Sequence, residues 1–167
     1  MLDSTFAGTV VLLCETGPKG AVGLVLNRPI DLQIKDVLEN PGAWGTLSAP
    51  LSWGGPVGQE QLHALHSGEP SDSLAQEVMH GLTFGAELDS LIVLQTMGEH
   101  LRFFVGYAGW ESGQLEAELD QDGWHLTPAT PSCVFETPPE RLWHHLIAKT
   151  SPSLSWLKHL PDDPSMN

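Results

Sequence analysis

Cysteine is scarce in this 167-residue chain: there are two, Cys14 and Cys133, far apart in sequence. So few exclude a disulfide framework and suit a reducing compartment. Cys14 ends an apolar run and reads as a small buried hydrophobe. Basic residues are also few, with seven Lys and Arg against 21 Asp and Glu, for a net charge of −14. Nucleic-acid affinity comes largely from Lys and Arg displacing counterions. Here the cations are spread from Lys19 to Lys158 with no two adjacent, so direct nucleic-acid binding is disfavoured, as is attraction to anionic membranes. No apolar run approaches the roughly 18 residues of a membrane span, and no basic segment followed by an apolar core marks a secretory signal. The expectation is a cytoplasmic protein that stays off the membrane, with charge favouring solubility and cationic partners.

What the chain does have is a 41% hydrophobic content and six tryptophans. That is enough for a single substantial core, expected over residues 1–150, followed by a proline-rich tail at 151–167. The stretch that organises the rest is Arg102–Leu119, RFFVGYAGWESGQLEAEL. Phe103, Phe104 and Val105 read as a strand. Gly106-Tyr-Ala-Gly109 reads as a glycine-hinged turn, and a helix is expected from Ser112 with Leu115 and Leu119 on one face. Tyr107 and Trp110 would then sit in the turn, as a packed corner or as a site.

In order, Thr9–Cys14 predicts a strand buried on both faces. Ala21–Asn27 predicts its hairpin partner across a loop of about six residues, Glu15–Gly20, rich in turn chemistry. Gly23 marks a bulge or close backbone approach. Asp31 is a candidate N-cap for a short helix through Ile34, Val37 and Leu38, stopped at Asn40-Pro41-Gly42. Leu51–Trp53 and Leu62–His66 read as strands, Val78–Phe84 as a strand interrupted at Gly81, and Glu87–Met97 as an amphipathic helix. Gly123–Thr127 predicts a late strand, Pro128–Cys133 a loop and Glu140–Lys149 a helix opened by proline. One turn of helix is expected around Leu154–Lys158. Irregular alternation of strands and helices after an initial hairpin predicts α+β with a mixed or antiparallel sheet.

Three blocks, Gly20-Ala-Val-Gly-Leu-Val-Leu-Asn-Arg-Pro29, Gly54-Gly-Pro-Val57, and Gly106-Tyr-Ala-Gly-Trp110 with Gly113-Gln-Leu-Glu116, occur in an order and spacing that resemble the AlgH/YqgE family of bacterial proteins. The likeness runs from about Met1 to about Leu146. It implies one compact α+β domain with a branched or barrel-like sheet flanked by helices. It implies little about function: members are labelled transcriptional regulators because one was linked to exopolysaccharide control, and the family offers no agreed catalytic residues to carry over. Members usually begin with an extra strand of about ten residues ahead of the block matching Leu2–Leu13. This sequence starts at Met1 instead: either the start codon was placed late or this member lacks the strand, and if the strand is absent a neighbouring edge is expected to be open to pairing.

The candidate ligand- or partner-binding residues are Asn27, Arg28, Gly54, Gly55, Tyr107, Trp110 and Gln114. Arg28 could grip a carboxylate or phosphate, or pair with Asp31 or Asp36, which is the favoured reading. Gly54-Gly55 lacks the lysine and helix of a phosphate loop and reads better as a tight turn near the core. Free N–H groups at the Ser112 helix start could face an anion, but Glu111 and Glu116 would repel it. Gly109-Trp-Glu-Ser112-Gly113 misses the hydrolase elbow by one residue. His63 and His66, three apart on a strand, point to opposite faces, and His144-His145 diverge on a helix. No catalytic residue, metal site or cofactor is therefore expected. The leading expectation is a non-enzymatic binding or regulatory protein acting through protein contacts. The alternatives are a regulator that binds DNA directly, and a small-molecule binder or enzyme with a site near Arg28 and Trp110.

Overall fold

The longest strand of the computed structural model, β8 (Leu101–Glu111), is the axis of the fold. Residues 4–37 and 42–150 are described; the expected boundary at Leu38–Pro41 and the expected helical turn at Leu154–Lys158 lie outside them. Ahead of β8 come β1 (Val11–Gly17), β2 (Gly20–Val25), β3 (Pro29–Ile30), α1 (Ile34–Val37), β4 (Leu51–Trp53), β5 (Val57–His66), β6 (Gln76–Met79), β7 (Leu82–Phe84) and α2 (Leu88–Thr96). After it come α3 (Gln114–Asp120), α4 (Pro131–Phe135) and α5 (Pro139–Thr150). The strands form one eight-stranded, barrel-like sheet in the order β1-β2-β8-β5-β7-β6, with β3 and β4 branching off at β8. All pairings are antiparallel except β4 with β8. The fold is thus the expected α+β domain with a mixed, branched sheet.

The branch explains the glycines of β8. Phe103–Val105 lie between β5 and β4, whereas Ala108–Glu111 pair with β2. The handover falls at Gly106, whose φ of +69° leaves the β region. A Cβ there would meet the carbonyl oxygens of Gly55 at 2.5 Å and Val57 at 2.8 Å. The expected turn at Gly106–Gly109 is therefore a bend within a continuous strand, because backbone partners are present on both sides of it. Tyr107 and Trp110 are strand residues. The following helix begins at Gln114, not Ser112, behind Gly113 at φ +77°.

Other expectations shift for similar reasons. The first hairpin closes tightly, with Gly17 paired to Gly20 across Pro18-Lys19, because β1 extends through Glu15 and Thr16 instead of ending at Cys14. Its register shifts between Leu13 and Glu15, opposite Gly23, so the close approach predicted at Gly23 is present. β1 is not buried on both faces: Leu12 and Cys14 point into the core, while Val11 and Leu13 are half-buried. Val78–Phe84 is a hairpin, not one strand, turning at Gly81 with φ +77°. Gly123–Thr127 forms no strand, and Pro131–Phe135 is helical where a loop was expected at Pro128–Cys133. Thr130 caps that helix by accepting from the Cys133 amide.

Both faces of the first half of β8 are covered. Phe103 packs with Ile34, Leu51, Leu91 and Leu94 beneath α2, and Phe104 packs with Leu24, Leu65, Val134 and Leu142 beneath α4 and α5. Both phenylalanines have 0% exposure, each contributing about 2–3 kcal/mol of burial. Between these cores sits Arg102, only 5% exposed, with no carboxylate on it among the described residues. Its guanidinium donates to Val134 O, Leu26 O and Ser52 Oγ at 2.8, 2.7 and 3.1 Å.

Candidate functional site

The second half of β8 borders a third, looser cluster in which Ala21, Ala108, Trp110 and Leu115 meet Phe6, Val11, Leu13 and Trp124. A cavity of about 360 Å³ opens there. Its walls are the segment Phe6–Leu13, the end of β8 at Trp110, the start of α3 at Leu115, the segment Gly123–Ala129, and the face of α5 carrying Trp143, Leu146, Ile147 and Thr150. Among the described residues, no Asp, Glu, Lys or Arg lines it; His125 is the sole titratable side chain.

Chain geometry puts the aromatic rings here. Trp110 pairs with Ala21 on β2, and its ring packs beside Gly23, where a Cβ would approach Cζ3 to 3.3 Å. At the end of α3, Asp122 adopts φ +55°, an αL conformation that Asp tolerates better than most residues. Gly123 N then bonds back to Glu118 O at 2.8 Å. This reversal lays Trp124 edge-on against Trp110, centroids 5.8 Å apart, and Phe6 edge-on against Trp124 at 5.7 Å. One carboxylate fixes both indoles: Glu118 Oε2 accepts from Trp110 Nε1 at 3.0 Å and Trp124 Nε1 at 2.7 Å. Gln114 Nε2 donates to Glu118 Oε1 at 2.9 Å, and Gln114 Oε1 accepts from Glu111 N at 3.0 Å. Burial opposes ionisation of Glu118, but the bonds from Trp124, Gln114 and Trp110 outweigh it and hold the carboxyl below its ordinary range.

The opposite wall is tied down by Asn27 and Arg28. Asn27 Oδ1 accepts from Val10 N at 2.8 Å, its Nδ2 donates to Gly8 O at 2.9 Å, and Arg28 Nη2 donates to Ala7 O at 2.9 Å. Arg28 is exposed, and its hydrogen bond runs to this backbone oxygen. Of the seven sequence candidates, Trp110 thus lines the cavity, while Asn27, Arg28 and Gln114 support its walls. Gly54, Gly55 and Tyr107 lie elsewhere, at the β8 bend. Gly54 N donates to Val105 O and Gly54 O accepts from Val25 N, at 2.8 and 2.9 Å, and a Cβ on Gly55 would collide with the Tyr107 backbone. Tyr107 packs edge-on against His63.

Sequence reasoning missed Glu118, Trp124, Phe6 and the α5 face. Only Glu118 left a readable trace, as the i+4 partner of Gln114 on a helix. Burial pushes the Cys14 thiol up to about 12, which makes it a packing group and not a nucleophile. Among the described residues, no group of three or more His, Cys, Asp or Glu is placed to hold a metal ion, and no helix is long and apolar enough to cross a membrane.

Fold and cavity together describe a small α+β domain with a partly open, aromatic-walled cavity. A sequence profile described as AlgH-like matches residues 1–155, and this chain belongs to that family. Relatives named only as UPF0301 proteins include one from Chlorobium luteolum, 33% identical over all of this chain and 89% of its own length, and one from Ralstonia pickettii, 39% identical over 84% of this chain and 77% of its own. The solution structure of the AlgH protein from Pseudomonas aeruginosa superposes with a TM-score of 0.74 at 33% identity, covering 98% of this chain and 89% of that one. A crystal structure from Corynebacterium diphtheriae, at 22% identity over 96% of this chain and 86% of its own, shares the fold with a TM-score of 0.75.

Proposed function

We propose that this protein is a non-enzymatic binding and regulatory protein whose recognition element is the cavity between Phe6–Leu13, Trp110, Trp124 and α5. The observation that carries this reading is the cavity itself. Its volume of about 360 Å³ falls in the range of small-ligand sites, and its lining is apolar and aromatic with few polar groups. Among the described residues no serine, cysteine or carboxylate lines it, which argues against chemistry on the occupant. Direct DNA binding draws no support from the cations: Arg102 is buried, Arg28 holds a wall, and the net charge of −14 repels phosphate. The regulatory role would follow from what the cavity holds, through protein contacts that respond to its occupancy.

The test is titration with N-phenyl-1-naphthylamine, a neutral fluorophore that brightens in apolar surroundings. Saturable one-site binding is expected, lost in Leu13→Trp and in Thr127→Trp, each of which fills the cavity from a different wall, with circular dichroism unchanged. Absence of saturable binding to the intact protein, or binding indifferent to both substitutions, would sink the reading.

A further inference from the structure

The cavity's electrostatics say more than its size. Among the described residues its lining holds His125 and three threonines but no carboxylate, lysine or arginine, and an ionised carboxylate outside it bonds the N–H edges of two of its rings. Phe6, Trp124 and Trp110 form a consecutive edge-to-face series, with interplanar angles of 66° and 74°, and all three border the same space. Rings turned this way present faces and edges in several directions around one volume, the arrangement that recognises alkylated ammonium groups. The Glu118 carboxylate accepts both indole N–H bonds, so its charge sits at the rim of both rings without entering the cavity. An anion on the N–H side of an indole raises electron density on its face, and the net charge of −14 adds in the same direction. An anionic occupant would find no Lys or Arg among the described lining residues to neutralise it.

We infer that the cavity takes a hydrophobic cation, an alkyl- or aryl-ammonium whose charged head rests against the Trp110–Trp124 pair and whose apolar part fills the space toward α5. This rests on the cavity being a binding site, as proposed above, and adds the chemical class of the occupant. Glu118 is in this account a positioning residue: it orients the two indoles and biases their faces toward positive charge, while touching no ligand.

The experiment compares isosteres that differ in charge. Phenyltrimethylammonium, tert-butylbenzene and 2-methyl-2-phenylpropanoate are titrated into the intact protein, with binding read by ligand-observed NMR and by the indole N–H resonances. The cation should bind at least about tenfold tighter than the neutral isostere, the scale of a desolvated cation–π contact, and the anion should not bind. In Glu118→Gln, which keeps an oxygen acceptor for the indoles but removes the charge, the cation's advantage should shrink several-fold while the neutral isostere's affinity stays within about twofold. A neutral isostere that binds as tightly as the cation overturns the inference but leaves the cavity reading standing. Failure of both to bind removes the two together. A cation preference unchanged in Glu118→Gln overturns the positioning role.

Discussion

Two ions in this protein are held the same way and serve opposite ends. Arg102 is a cation satisfied by three neutral acceptors, two backbone carbonyls and a hydroxyl. Glu118 is an anion satisfied by three neutral donors, two indoles and an amide. Among the described residues, neither has a counter-ion as a hydrogen-bond partner. What separates them is burial. Arg102 is 5% exposed, so burial pulls its guanidinium down to about 10, yet it stays charged at neutral pH and its donors lock α4, β4 and the end of β2 onto β8. Glu118 is half-buried at the edge of the domain, where the same device orients two side chains without stitching the sheet together. An unpaired ion deep inside is a clamp for the fold, because every partner it loses is a buried polar group left alone. At the rim, water takes up the loss and the effect is local geometry.

The sharpest way to break the comparison is at Arg102. Replacing it with Met keeps volume but leaves Val134 O, Leu26 O and Ser52 Oγ without their donor, and should destabilise the protein by about 3 kcal/mol or more in denaturant titration. A loss below about 1 kcal/mol would show that the guanidinium's own desolvation had cancelled its hydrogen bonds. Gly106→Ala comes next, at about 2 kcal/mol, because it forces a side chain into φ +69° and against the carbonyls of Gly55 and Val57. That measurement separates the clamp from the strand bend beside it.

How much of this was legible beforehand follows from which interactions are local. The strand at Phe103–Val105, the α2 and α5 helices and the α+β class rest on hydrophobic periodicity and, for α5, a proline at the helix start, which a linear sequence displays. The continuity of β8 through Gly106 rests on β2, β4 and β5 arriving from elsewhere, so Gly106-Tyr-Ala-Gly109 carried turn chemistry while forming a strand. The block Asn27-Arg28-Pro29 stood out as a cation at a strand end, yet what it grips is the backbone of Ala7–Val10, nineteen to twenty-one residues away in the two side-chain donor bonds. The cavity is legible least of all. It is made where Phe6, Trp110, Trp124 and Trp143 converge from four separate segments, and no spacing rule links them.

Glu118→Ala tests the rim side of the comparison and should cost only about 1 kcal/mol, since the partners it abandons are reached by water. The informative readout is elsewhere. The indole N–H resonances of Trp110 and Trp124 should both move toward solvent-exposed positions, and together, because they share one oxygen. If only one moves, the two rings are held independently, and the carboxylate is not the common support for this wall.

The smallest expected effect concerns two histidines, His63 and His66, each with one buried ring nitrogen that has no hydrogen-bond partner among the described residues. His63 has a buried Nε2 with no hydrogen-bond partner and is packed against Phe84 and Tyr107. His66 is 0% exposed, with Nε2 3.1 Å from Gly85 O. Burial lowers the pKa of both below the ordinary 6.5; at His66, bonds to Gly85 and Gly68 and the charges of Asp72 and Glu99 oppose it only in part. A histidine whose folded pKa is depressed binds its proton more readily when unfolded. Full stability therefore holds above 6.5 and is lost as pH falls from there toward the depressed folded values. Glu118 and Asp72, also lowered, give up their contributions only further down, below 4.5 and 3.8. The melting temperature should therefore drop by a few degrees between about pH 7.5 and 5.5, where those carboxylates remain charged. His63→Phe, which can keep the stack on Phe84, should flatten that slope. An unchanged slope would assign the acid sensitivity to His66 and its neighbours, and a slope of zero in the parent protein would mean that both rings gain a partner on protonation, as Arg102 and Glu118 already have.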